Sequence, residues 1–83
     1  METFEYKLRE IMHDMKPLLD IDFSVAADFK DDVGLDSLDL TEYVARIENV
    51  FLIEVDDKDW KQLINLKACI DYIQTKNISY AAA

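Results

Sequence analysis

A chain of 83 residues with 18 acidic against 9 basic side chains carries a net charge of −9, which repels nucleic acid and anionic membranes and steers it toward basic partner surfaces. A domain of this size buries only about 60% of the surface its unfolded chain exposes, which leaves little room for an enclosed active site. The one cysteine, Cys69, has no partner for an internal disulfide, and no signal peptide or membrane span is legible, so a reducing, cytoplasmic setting and a monomer are expected.

The first apolar positions, Phe4, Leu8, Ile11 and Met15, with charges between them, have the spacing of a helix with one buried stripe and predict a helix near residues 3–16. Pro17 stops it, because the residue before a proline is pushed out of the helical region and the ring removes a donor. Residues 18–36 hold apolar anchors (Leu19, Ile21, Phe23, Val25 and Phe29) without a sustained period. They predict a long ordered loop, of a length that is uncommon in compact domains and tends to be functional. A second helix over 37–51 is signalled by Leu40, Val44, Ile47 and Phe51, with Tyr43 on the same side and Asp36 as N-cap. Its other face carries Asp39, Glu42, Arg46 and Asn49.

Residues 52–55 are β-rich in propensity but have no partner strand, so they read as a connector. A short helical turn over 57–63 carries Trp60, and Asn65 caps a last helix over 66–76 with Leu66, Cys69, Ile70 and Ile73 on one face. Residues 77–83 read as a frayed tail. Together these elements predict an all-α bundle of three longer helices and one short one. Its expected core is Leu8, Ile11, Met15, Leu40, Val44, Ile47, Phe51, Leu63, Leu66, Cys69, Ile70 and Ile73.

The inventory of reactive side chains is thin. His13, the only histidine, has no neighbouring cysteine or serine to activate, and a general base is useful only within reach of the proton it takes. Cys69 lies on an apolar stripe, where a free cysteine behaves as a small hydrophobe. The acidic clusters fail as a calcium loop: with Gly34 at the sixth position, the first and twelfth would be Phe29 and Leu40, neither of which binds an ion. No phosphate-cradling loop can be built on a single glycine. No catalytic or metal-binding set is therefore expected. Ser37 is different. With Asp36 as the cap and Asp39 in the first turn, where the helix dipole favours carboxylates, its hydroxyl is spare at a helix N-terminus whose free N–H groups suit a phosphate. Without a base beside it, it is a poor nucleophile but a good acceptor for another enzyme's modification.

The run Phe29-x-x-Asp32-Val33-Gly34-x-Asp36-Ser37-Leu38-Asp39 resembles the attachment signature of acyl carrier proteins, and the match continues through Glu42, Phe51, Ile53, Glu54, Val55, Asp57 and Ile70-Asp71-Tyr72-Ile73. The resemblance implies an acyl-carrier domain over residues 1–76 that is not itself an enzyme. It implies that Ser37 receives 4′-phosphopantetheine from coenzyme A through a phosphodiester, and that the arm's thiol carries acyl groups as thioesters. Implied partners are a phosphopantetheinyl transferase and acyl-transferring and ketosynthase-type enzymes with basic docking patches. They would meet Asp36, Leu38, Asp39, Glu42, Ala45, Arg46 and Glu48 on the second helix. So small a core is expected to admit an acyl chain between the helices, with Trp60 limiting its length.

Departures from the family pattern bear on pathway. Thr41 and Ala45 stand where fatty-acid carriers commonly have an apolar pair, Arg46 adds a positive charge, Asn49 and Val50 replace a usual Glu, Leu52 stands where Gly or Asp is frequent, and Trp60 is large for its position. Fatty acid synthesis, a specialised lipid or polyketide pathway, and D-alanyl or other aminoacyl transfer all fit the signature. Outside the resemblance, an unmodified acidic helical adaptor fits the composition.

Overall fold

The computed structural model describes residues 3–76, so the expected frayed tail lies outside the described residues. The first helix, α1 (Phe4–Met15), begins where the Thr3 hydroxyl accepts the Tyr6 N–H and ends as Lys16 donates its N–H to the Met12 carbonyl, one residue before Pro17. Leu8, Ile11 and Met12 are its buried residues. Met12 rather than Met15 is thus the buried methionine. Both share the apolar face, but Met15 sits in the last turn and is only half-covered.

The second helix, α2 (Ser37–Phe51), starts with a complete capping box: the Asp36 side chain accepts the Asp39 N–H, and the Asp39 side chain accepts the Asp36 N–H. Both carboxylates quiet orphan donors that a bare helix end would leave open. At the other end Leu52 takes the left-handed conformation, φ 58°, while the Glu48 carbonyl accepts the N–H groups of Leu52 and Ile53 and its carboxylate accepts that of Val55 at 2.9 Å. A left-handed L-residue costs about 1–2 kcal/mol, and Leu52, 82% exposed, recovers little by burial. Leu52→Gly is therefore expected to stabilise the fold by about 1 kcal/mol, a rise in Tm of roughly 4–8 °C for a domain of this size. A thermal melt that falls instead would show that the leucine makes contacts that outweigh its strain.

After the connector a 3-10 helix (Asp57–Gln62) carries Trp60, and α3 (Leu66–Lys76) opens where the Asn65 side chain accepts the Ala68 N–H at 2.8 Å. Among the described residues the chain forms no strand, and three α-helices and one 3-10 helix are its elements. The all-α expectation therefore stands. α1 packs against both α2 and α3.

The core is wider than the helix stripes alone. Leu8, Ile11, Val44, Ile47, Phe51, Leu63, Leu66, Cys69 and Ile73 are buried as expected, whereas Leu40 and Ile70 join Met15 in packing only partly against them. Phe29, Leu35 and Val55, from outside the α-helices, are buried with them, as is Tyr43. The Phe29 ring meets Tyr43 edge-on at 5.5 Å and Phe23 at 6.4 Å, and the Tyr43 hydroxyl donates to the Leu8 carbonyl at 2.8 Å. A loop can enter a core only if its backbone polar groups are paired. Here Phe29 donates its N–H to Ile64, Lys67 donates to the Val25 carbonyl, and Arg9 reaches across to the Ile21 carbonyl while lying over the Phe23 ring.

Burial also sets the alkaline limit of the fold. It pushes the Cys69 thiol from 9.0 up to about 12, and the Tyr43 phenol well above 10.0. Desolvation, together with the Asp59 carboxylate to which Tyr72 donates, raises the Tyr72 phenol to about 12. In each case the folded chain keeps a proton that the unfolded chain releases, so stability is lost as pH rises. Thermal melts at increasing pH are expected to hold steady to about pH 9 and then fall through pH 12. A stability that rises over that window would contradict the assignment.

Candidate functional site

Three features converge at the start of α2. Gly34 turns the chain with φ +92°, a left-handed value that a side chain would strain although nothing lies within 4 Å of where a Cβ would sit. Leu35 anchors the approach in the core, and Asp36 then caps the helix. These fix Ser37 as the first residue of α2, exposed to solvent. Its carbonyl accepts the Thr41 hydroxyl at 2.9 Å, but its own hydroxyl has no hydrogen-bond partner among the described residues. The capping role that a serine at a helix start usually fills belongs to its neighbour.

The electrostatics around this hydroxyl are milder than the sequence suggests. Two aspartates flank it, yet the Lys16 ammonium hydrogen-bonds Asp39 at 3.0 Å. That contact, followed by the Asp36 backbone N–H, holds the Asp39 carboxyl below its usual range. Asp39 thus remains charged and paired, and an anion placed on Ser37 meets less repulsion than two bare carboxylates would exert. Nothing in the sequence marks Lys16, which lies 23 residues away. The Ser37 and Leu38 amides occupy the first turn, where no intrahelical acceptor exists.

Beside Ser37 opens a groove of about 390 Å³ whose apolar wall includes Phe29, Leu40, Val44, Leu63 and Ile64. Trp60 forms part of the same wall, as do the polar side chains Thr41, Asp28, Lys30 and Lys61. Its volume falls in the range of roughly 300–1,000 Å³ typical of small-molecule pockets. The loop and Ile64 contributions have no periodic signature in the sequence; only the attachment-like motif containing Phe29 points there.

The remaining expected site residues fall on two kinds of ground. Asp36, Leu38, Glu42 and Ala45 are exposed along α2, Leu38 by 80%, and Asp39 and Arg46 are half-exposed. Arg46 forms an ion pair with Glu42, one helical turn back, at 2.8 Å, and its Nε–H donates to the same carboxylate at 3.0 Å. Glu48 is half-buried, and its carboxylate is tied to the Val55 backbone. It closes the helix as well as facing the surface. His13 is exposed on α1, and Cys69 is buried with its thiol held protonated.

Residues 7–73 match the family described as phosphopantetheine attachment site. An acyl carrier protein of Nitratidesulfovibrio vulgaris, found in strains DP4 and Hildenborough, is 36% identical over 74 residues, covering 89% of this chain and 97% of the relative. An acyl carrier protein of Syntrophus aciditrophicus is 32% identical over 78 residues, covering 94% and 98%.

Proposed function

The chain belongs to the acyl carrier protein family, whose prosthetic group is a covalently attached 4′-phosphopantetheine, and on that premise we propose that Ser37 is the residue that bears it. Members of the family are carriers rather than enzymes, and they are served by a phosphopantetheinyl transferase and by biosynthetic enzymes. The observation that carries the assignment is the Ser37 hydroxyl, exposed and unpartnered next to a capping box that is complete without it. A bound arm supplies a terminal thiol on which acyl groups travel as thioesters.

Loading forms a bond between Ser37 Oγ and the phosphorus next to the pantetheine of coenzyme A, breaks the pyrophosphate linkage and releases the adenosine bisphosphate. The hydroxyl proton goes to a base on the transferase, since His13 stands exposed on α1 and no side chain of the described residues hydrogen-bonds the Ser37 hydroxyl, Thr41 bonding only the carbonyl. The free amides at the start of α2 and the helix dipole favour the resulting phosphodiester. Lys16, by holding Asp39, keeps the neighbouring negative charge engaged. Intact-protein mass after incubation with coenzyme A, Mg²⁺ and a broad-specificity transferase tests the reading; an unchanged mass would favour an unmodified adaptor. Residues 1–76 form the carrier domain in this reading, working as a monomer in the cytoplasm. No helix of the described residues is long and apolar enough to cross a membrane.

The partner face is Asp36, Leu38, Asp39, Glu42, Ala45, Arg46 and Glu48, with Leu38 as the apolar anchor that a small transient interface needs. Its charges set encounter rate and orientation more than affinity. Arg46 favours a dedicated acyl pathway over general fatty acid synthesis, because it adds a positive charge to this face and engages Glu42 in an intrahelical pair. An enzyme whose basic patch expects bare carboxylates is repelled; one with an acidic residue opposite Arg46 is recruited. The D-alanyl and aminoacyl alternatives have no corresponding observation in their favour. Arg46→Glu is expected to raise turnover with a housekeeping ketosynthase and lower it with the cognate enzyme, with both effects fading in high salt. Unchanged activity with both enzymes would remove the gatekeeping role.

A further inference from the structure

We infer that Trp60 reads oxygen on the cargo: its indole N–H donates to a ketone or hydroxyl oxygen of an acyl chain lodged in the groove beside Ser37. The inference rests on the proposed attachment at Ser37 and goes beyond it, to the chemical class of the chain. Trp60 Nε1 is shut off from solvent and has no acceptor among the described residues, and folded proteins rarely leave a buried donor in that state. Filling space alone would be served by phenylalanine or leucine. Tryptophan adds a donor that, once buried, usually finds a partner.

The same side chain lines the groove that Ser37 lines, so a chain tethered to Ser37 meets it at high effective concentration. Most of the groove's wall is apolar, with Leu40, Val44, Leu63 and Ile64 among its members. A saturated chain satisfies those residues and leaves the indole N–H orphaned. A chain with an internal oxygen satisfies both once it displaces the ring enough to reach an N–H that is closed to water in this structure, and a site built around a buried donor discriminates against the analogue that lacks the acceptor. The competing polar groups are otherwise engaged or solvated: the Thr41 hydroxyl donates to the Ser37 carbonyl, Asp28 accepts the N–H groups of Lys30 and Asp31, and Lys30 and Lys61 are exposed.

Trp60 is the only tryptophan, so its indole N–H gives a single identifiable resonance. The protein is loaded by the transferase from coenzyme A, octanoyl-coenzyme A or β-ketooctanoyl-coenzyme A, and intact mass confirms each form. The indole proton is expected to move downfield, with slower exchange into water, only in the β-ketooctanoyl form. The β-keto chain is expected to raise Tm above the octanoyl chain, reflecting a preference of about five-fold, the size of one net hydrogen bond. In Trp60→Phe, which keeps the ring and loses the donor, the two chains raise Tm equally. Equal movement of the indole signal in the unacylated or octanoyl form means that the N–H pairs with the arm or senses filling alone, and overturns the inference. That outcome differs from a failure to gain mass, which overturns the Ser37 attachment and this inference with it. Should Trp60→Phe fail to fold, the indole resonance of the unaltered protein decides.

Discussion

Ser37→Ala is expected to abolish cofactor loading completely while leaving the helices intact. Loading needs an oxygen to bond phosphorus, and alanine has none, so the effect on mass gain is total rather than graded. The stability effect should be near zero for a separate reason. Replacing a capping serine ordinarily costs about 0.5–2 kcal/mol, but here the Asp36 and Asp39 carboxylates form the capping box and the Ser37 hydroxyl bonds nothing among the described residues. Alanine at the first helical position has the better intrinsic propensity. Circular dichroism and thermal melts of the variant should therefore overlay those of the unaltered protein, while mass spectrometry shows no adduct. Gross unfolding of Ser37→Ala would mean that the serine is structural, and the attachment reading would lose the observation that carries it. Asp36→Ala gives the complementary result: it removes the cap, at about 1 kcal/mol, but keeps the hydroxyl, so loading persists on a less stable chain, more slowly because a partner-face charge is lost.

The helices were legible because each has a local cause. Pro17, the Asp36 and Asn65 caps and the spacing of Leu40, Val44, Ile47 and Phe51 all act within a turn or two, and the observed bounds of α2 and α3 match the expected ones. Ser37 was legible for the same reason, because an adjacent aspartate makes its hydroxyl redundant. What escaped was long-range. The Lys16 contact to Asp39, the burial of Leu35 and Val55 and the Val25 and Ile64 carbonyls that receive backbone donors depend on where a non-periodic loop comes to rest. Neither helical nor strand periodicity encodes that. Glu48 shows the limit most clearly, because on the helix wheel it is a surface carboxylate, whereas it also fastens the connector through the Val55 N–H. Its neighbour Leu52, which departs from the family pattern, is the residue held left-handed at the same junction.

The loop's hold on the core leads to the second large effect, at Phe29. In sequence this residue is one anchor among several, but in the fold it is 1% exposed, stacks edge-on with both Phe23 and Tyr43, and donates its N–H to Ile64 at 2.8 Å. Its carbonyl accepts the Leu35 N–H at 2.8 Å, which sets the approach to Asp36. Phe29→Ala removes the ring from the centre of that arrangement and is expected to cost roughly 3–5 kcal/mol, the range for a buried phenylalanine. Small domains are only marginally stable, with about 5–15 kcal/mol in total, so the variant should be substantially unfolded or melt at least roughly 12 °C lower. Phe29→Leu keeps most of the apolar volume and loses the aromatic pairs, worth about 0.5–1.5 kcal/mol each beyond burial, and should fall between the two. Loading separates stability from positioning. Measured well below its melting temperature, Phe29→Leu should still gain the cofactor, at a lower rate if the ring also holds the path into Ser37. A Phe29→Ala protein that melts within about 5 °C of the original, a shift of roughly 1 kcal/mol, would show that the loop rests on the helices without being built into their core. The groove that it helps to wall would then have to form without it.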